Sequence, residues 1–409
     1  MVPETWRLST IGEISNVASG GTPSRMNENY WGGDIPWVTT AEVQFGTIFN
    51  TSEKITEAGL ANSSAKLFPV NTILMAMYGQ GKTRGQVAKL GIEATTNQAC
   101  AAIMLNNEYD VDYYFQFLIS RYEHIRDMSN SGGQENLSAG IVKSIQVPVP
   151  PLPEQKEIAQ ILSTWDKAIT ATEKLLANSE QQKKALMQQL LTGKKRFLGF
   201  NDDWDEYSLQ QLGTTYNGLS GKSKDDFKQG KPYIPYVNIF NNSKIEVTKL
   251  ELVNIESGER QNQVKYGDIF FTTSSETPHE VGMSSVLLDT LNETYLNSFC
   301  FGFRLYDFKH LLPSFAQFFL RSAKIRKDIS ALAQGATRYN LSPTRLMKIK
   351  FKLPSVNEQQ KITSALSVAD SEIEALRKKL DFVKQEKRAL MQQLLTGKKR
   401  VKVTEINNA

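Results

Sequence analysis

The twelve residues ALMQQLLTGKKR at 185–196 return, letter for letter, at 389–400, an offset of 204. A chain that spells one helix end twice is built from two copies of one unit. At the same offset the match runs without a gap back to Glu154. Glu154-Gln155 aligns with Glu358-Gln359, Ile158 with Ile362, Leu162 with Leu366, Asp166 with Asp370 and Ile169 with Ile373. The tripeptide NLS at 136–138 matches NLS at 340–342, still at 204. Farther upstream the match weakens and the offset drifts. RLSTIG (7–12) pairs with SLQQLG (208–213), IPWV (35–38) with IPYV (234–237), NQAC (97–100) with NSFC (297–300), and FLIS (117–120) with FLRS (319–322). Drift means insertions and deletions, which belong in loops. The expected organisation is a variable domain at 1–150, a constant helical region at 151–200, a second variable domain at 201–354 and a second helical region at 355–409.

Each constant block starts after prolines, VPVPPLPEQ in one and KLPSVNEQ in the other, and ends in LLTGKKR. Proline suits a first helical turn, where its missing N–H would be unpaired anyway. Gly193 and Gly397 supply left-handed stops, and the lysines and arginine beside them favour the negative end of the helix dipole. About 40 residues without Gly or Pro lie between, a rod of roughly 60 Å. Positions in steps of three and four are mostly apolar: Ile158, Leu162, Trp165, Ile169, Leu176, Leu186 and Leu190 in the first block, with Thr172, Ser179 and Lys183 at the remaining steps. The second has Ile362, Leu366, Ile373, Leu376, Leu380, Val383, Leu390 and Leu394. This is the pattern of a coiled-coil seam. Lys183 and Lys387 interrupt both seams at one place and are candidates for setting register. Ile161, Leu175, Met187 and Leu191 lie beyond the seam, and are expected to form exposed apolar patches for a partner protein.

Composition narrows the class. At 409 residues the chain exceeds one ordinary core. No stretch approaches the 18 apolar residues of a membrane span, and MVPETWRLST lacks the layout of a signal peptide, so a cytoplasmic protein is expected. Two cysteines, Cys100 and Cys300, are too few for a disulfide framework or a structural zinc site. A net charge of +5 is compatible with nucleic acid and does not by itself argue for it.

PPLPEQKEIAQIL, followed by a long helix ending in QLLTGKKR, resembles the specificity subunits of type I restriction-modification enzymes. SGGTPS (19–24), IPWVTTAEV (35–43), NTILMAMYGQGKTRG (71–85) and GGQENLS (132–138) also look like that family. NGLSGKS (217–223) and GATRYNLS (335–342) stand as looser second copies. The resemblance covers essentially the whole chain. It implies an α+β fold: two globular target-recognition domains separated by two long antiparallel coiled-coil helices, in a pseudo-two-fold internal repeat. It also implies a subunit with no catalytic centre and no cofactor or metal. Each recognition domain would read one half of a split, asymmetric site in double-stranded DNA. The helices would dock two adenine methyltransferase subunits and set the half-site spacing, and motor-nuclease subunits would join the larger complex.

The residues agree with a binding role. GQGKT at 79–83 ends like a phosphate-binding loop, yet Ala76 stands where that motif needs glycine, and RGQVAKLG after it makes a poor helix. PEQK (153–156) contains a nuclease-like Glu-x-Lys that its copy NEQQ (357–360) loses. His124, His279 and His310 are isolated, and no His/Cys cluster has metal-ligand spacing. Cys100 and Cys300 align inside apolar strands and read as core positions.

The loops of both variable domains are rich in side chains that contact phosphates or base edges. The candidates are Thr22, Ser24, Thr39, Thr40, Tyr78, Gln80, Lys82, Thr83, Arg84 and Gln134 in the first domain. In the second they are Lys222, Lys224, Asn238, Thr272, Thr273, Ser274, Ser275, Thr337, Arg338 and Tyr339. Trp37 and Tyr236 align as either core or contact residues. Three other functions fit parts of the sequence: a recognition subunit of a methylation-only system, an NTP-binding enzyme using GQGKT, and a coiled-coil adaptor without DNA contact.

Overall fold

A computed structural model describes residues 3–79, 81–128 and 136–402. The chain forms two compact units, Met1–Glu173 with Lys378–Ala409, and Lys174–Arg377. The division falls inside the two long helices, Leu152–Leu190 and Val356–Leu394, rather than at the ends of the constant blocks. The reason is packing. Each recognition domain draws the start of one helix and the end of the other into its own core.

In the first unit a five-stranded sheet has the order Ser15–Ser19, Cys100–Leu105, Ile73–Ala76, Val87–Leu90 and Thr47–Ile48. A second sheet places Trp31–Val38 between Glu53–Ile55 and Thr95–Thr96. A third pairs Arg7–Thr10 with Gln146–Val149, just ahead of the helix. The inward faces of the first sheet are Ile73, Met75, Val87 and Ile103. They share a core with Tyr113, Phe117 and Leu118, with Ile158 and Leu162 from the start of the first long helix, and with Met391, Leu394 and Leu395 from the end of the second. Burying a leucine or isoleucine contributes about 1.5–3 kcal/mol, so these residues anchor both helix segments to the domain.

The second unit repeats the plan. Gly213–Asn217, Cys300–Leu305, Ile269–Thr272 and Ser284–Val286 form a four-stranded sheet. Phe227–Ile234 lies between Glu251–Val253 and Tyr295–Leu296, and Asp205–Ser208 pairs with Lys350–Leu353. Its core takes Leu190 and Leu191 from the end of the first long helix and Ile362 and Leu366 from the start of the second.

Both helices have 39 residues, about 58 Å at 1.5 Å per residue. Both end at left-handed glycines, Gly193 at φ +71° and Gly397 at φ +72°. The N–H groups of Lys195 and Lys399 reach back past the glycines to the carbonyls of Gln189 and Gln393, and those of Gly193 and Gly397 to Leu190 and Leu394, so carbonyls of the last turn are satisfied. Within each unit the two helix segments run antiparallel. In the first, Lys387 pairs with Asp166 at 2.6 Å and Lys384 with Glu173 at 2.7 Å. In the second, Lys183 pairs with Asp370, and Arg377 with Glu180 at 2.6 Å. As numbering rises on one helix it falls on the other.

Ile158, Leu162, Leu190, Ile362, Leu366, Ile373, Val383 and Leu394 are buried. Trp165, Ile169, Leu176, Leu186, Leu376, Leu380 and Leu390 are half-buried. Thr172 and Ser179 continue the buried face; their hydroxyls donate to the Ala168 carbonyl and to Glu372.

Two expectations are corrected. Leu191 is buried, and Ile161 and Met187 pack against the domain cores; of the four apolar residues beyond the seam, only Leu175 is exposed, at 52%. The recognition domains themselves cover the surface that a bare two-helix coil would leave open. The pairing of IPWV with IPYV is also displaced. Val38 lies beside Thr96 in a parallel pair, and Ile234 lies beside Leu296 in the matching pair. Trp37 therefore corresponds to Tyr233, not to Tyr236, which opens a helix at Tyr236–Asn241.

Candidate nucleic-acid interface

Backbone hydrogen bonds gather the loops of the first domain around one turn, Asn97-Gln98-Ala99. Gly21 N–H donates to Thr96 O, Asn97 N–H to Val38 O and Met77 N–H to Ala99 O; Leu137 N–H then donates to Met77 O. The loops that contain residues 21, 38, 77 and 137 thus meet at this turn, at the ends of strands from two sheets. Glycine is needed there, since a Cβ at Gly20 would come within 2.0 Å of Thr96 O.

The second domain has the same arrangement around Asn297-Ser298-Phe299. Leu219 N–H donates to Leu296 O, Asn297 N–H to Ile234 O, Thr273 N–H to Phe299 O and Leu341 N–H to Thr273 O. In both turns the asparagine side chain closes an Asx turn: Asn97 Oδ1 accepts from Ala99 N–H at 3.1 Å, and Asn297 Oδ1 from Phe299 N–H at 2.8 Å. Asn97 and Asn297 were legible only as part of the NQAC/NSFC match, which assigns them no role.

The candidates separate into displayed and internal groups. In the first domain Ser24, Tyr78 and Lys82 are exposed, and Thr22, Thr39, Thr40 and Thr83 are half-buried. Thr22 donates to Gln98, a residue the sequence reading missed. Thr39 caps the short turn at Thr40–Glu42 through Glu42. Arg84 is buried. Gln80 and Gln134 lie outside the described residues.

In the second domain Lys224, Thr337 and Arg338 are exposed, and Tyr339 is half-buried. Lys222 is nearly covered and forms an ion pair with Glu259, whose carboxyl is held down to about 2 by that ammonium, by Gln261 and by the Glu256 N–H. Asn238 is buried, with its amide donating to Glu246 O and accepting from Glu246 N–H. Thr272, Ser274 and Ser275 are buried, and the Thr272 hydroxyl accepts from Met283 N–H. Thr273 donates to Phe299 O. Asn238, Thr272, Ser274 and Ser275 thus support the loops from within. Polar residue type predicted contact there, but buried polar groups must be hydrogen-bonded, and the side chains of Asn238, Thr272 and Ser275 are bonded within the domain.

Two segments that resemble catalytic motifs have structural roles. The segment after Thr83 runs into the strand Val87–Leu90, not into the helix that follows a phosphate-binding loop. Glu154 of PEQK is 2% exposed and engaged by Trp6 and Arg400. Gln155 accepts from Asp110 N–H and donates to Pro150 O; its copy Gln359 accepts from Leu312 N–H and donates to Pro354 O. The repeated Glu-Gln pairs fasten helix starts to their domains. Among the described residues no group of His, Cys, Asp and Glu could hold a metal ion, and no helix is long and apolar enough to cross a membrane.

Two copies of a loop-displaying domain, each sharing its core with a paired helix bundle, define a duplicated recognition scaffold. The family model of the type I restriction modification DNA specificity domain matches residues 3–180 and again 201–385, and the chain belongs to that family. It is 26% identical over 412 residues to the type I restriction enzyme MjaVIII specificity subunit of Methanocaldococcus jannaschii, covering 98% of this chain and 94% of that one. It is 31% identical over 163 residues to the EcoR124I/EcoR124II specificity subunit of Escherichia coli, covering 38% and 40% of the two chains. The fold is that of the type I restriction-modification S subunit from M. genitalium, with TM-score 0.60 at 15% identity over 96% of each chain. The HsdS subunit of Thermoanaerobacter tengcongensis is similar as well, with TM-score 0.52 at 16% identity over 97% and 98% of the two chains.

Proposed function

We propose that this chain is the non-catalytic, sequence-reading subunit of a cytoplasmic type I restriction-modification complex. Each recognition domain reads one half of a bipartite, asymmetric site in double-stranded DNA. The long helices dock two adenine methyltransferase subunits and set the distance between half-sites, and motor-nuclease subunits join the same assembly. The observation that carries this reading is the twofold occurrence of one loop edge, organised by Asn97 in one domain and Asn297 in the other, with different exposed residues on each. Equal scaffolds with unequal tips suit two different half-sites. Exposed Ser24, Tyr78 and Lys82 in the loops of one domain, and Lys224, Thr337 and Arg338 in the loops of the other, have the chemistry of phosphate and base contacts.

Mapping methylated adenines in cells with and without this chain tests the reading. A bipartite motif should be methylated only when the chain is present. Identical maps would contradict it. With the purified complex, DNA affinity should fall steeply as salt rises, because phosphate contacts release counterions.

A further inference from the structure

Most exposed apolar side chains on a protein need no explanation. Phe299 differs because its backbone is hydrogen-bonded on both sides while the residue remains 60% exposed. Its N–H donates to Asn297 Oδ1, and its carbonyl accepts from both the N–H and the hydroxyl of Thr273. The first domain holds the same turn in the same way, yet presents Gln98 as its exposed residue, steadied by the Thr22 hydroxyl. In each unit this turn is the point to which the surrounding loops are tied. A rigid mount costs little ordering entropy when a ligand binds, which is what a reader of base pairs requires.

We propose that the turns 97–99 and 297–299 are the specificity-determining tips of the two domains, acting through Gln98 in the first and Phe299 in the second. A glutamine amide suits the paired donor and acceptor of an adenine edge in the major groove. A phenylalanine ring offers no hydrogen bond and suits a thymine methyl group or the face of a loosened base step. The two tips therefore read chemically different features, in keeping with unequal half-sites. The inference rests on the loop edge being the DNA face.

The test uses the full complex with its methyltransferase subunits and a set of DNA duplexes, each altered at one position of one half-site. Gln98→Ala should abolish discrimination at a position of the first half-site, with affinity for the intact site falling about tenfold to a hundredfold. Phe299→Ala should do the same in the second half-site alone, and Phe299→Leu should retain part of the affinity. Lys82→Ala and Arg338→Ala serve as probes of the face itself. If these two weaken binding while Gln98→Ala and Phe299→Ala leave every base preference unchanged, the tip assignment is overturned and the face stands. If all four leave binding unchanged, the face and the tips both fall.

Discussion

Glu154 takes two hydrogen bonds from Arg400, Nε to Oε1 at 2.6 Å and Nη2 to Oε2 at 2.7 Å, while Trp6 Nε1 donates to the same carboxylate at 2.9 Å. Glu358 is held the same way in the other unit, by Arg196 at 2.6 and 2.8 Å and Trp204 at 3.2 Å. A glutamate in the first turn of each long helix is thereby clasped to the arginine that ends the other repeat's GKKR. Planar, bidentate pairing explains why arginine rather than a third lysine closes each GKKR.

Removing Arg400 leaves Glu154 buried with Trp6 as its remaining side-chain donor. Breaking a buried ion pair costs about 3–5 kcal/mol. Because the Arg400 side chain is 41% exposed, solvent screening lowers the expected loss to about 2 kcal/mol. For a unit of this size, thermal melting of Arg400→Ala should show a drop of roughly 4–8 °C. Arg400→Lys should recover only part, since an ammonium cannot occupy both carboxylate oxygens at once.

Lys387 is largely buried in the seam against Asp166. Exchange for methionine removes a desolvated charge while keeping the volume, and the Asp166 side chain left behind is 45% exposed and so remains hydrated; Lys387→Met is therefore expected to be neutral or stabilising. Lys387→Glu places a second carboxylate beside Asp166 and should lower the melting temperature by several degrees. Equal destabilisation by both would contradict this and would show that the ion pair with Asp166 itself stabilises the seam.

The two cysteines are core residues. Burial pushes the Cys100 thiol up to about 12, and raises that of Cys300 as well. Only the thiolate is reactive, so neither should be alkylated at pH 8 in the folded protein, and both should react after unfolding. Counting labelled thiols by mass checks this. Rapid native labelling would contradict the assigned burial.

How much of this was legible beforehand depended on the kind of signal. The long helices were readable because a seam of period seven, prolines before the start and glycine at the stop all agree locally. The offset of 200 at Cys100 and Cys300 found the matching strands, since buried apolar strands tolerate few insertions. IPWV against IPYV failed because short letter matches ignore which strand lies alongside; sheet pairing put Tyr233, not Tyr236, opposite the position of Trp37. The candidate site was read by residue type, which cannot separate a displayed Arg338 from a buried Asn238. It also passed over Gln98 and Phe299, whose importance comes from the hydrogen bonds of their neighbours.

If the helices act as a ruler, lengthening both should lengthen the DNA spacer. Inserting four residues after Lys174 and four after Lys378, equivalent points of the repeat, extends each helix by roughly 6 Å. That approaches two base-pair steps of about 3.4 Å. Four residues slightly exceed one turn, which turns the downstream seam by only about 40°. The methylated motif should keep its half-sites and gain spacer length. An active variant with an unchanged spacer would contradict the ruler.

Independent reading of one half-site by each domain can be tested by exchange. Residues 1–150 can be exchanged for the first recognition domain of another family member, and methylated adenines mapped genome-wide in cells carrying the hybrid. The expected result is a motif in which one half-site takes the donor's sequence and the other, with its methylated adenine, stays as it was. A change in both half-sites, or in neither while methylation persists, would contradict independent reading by the two domains.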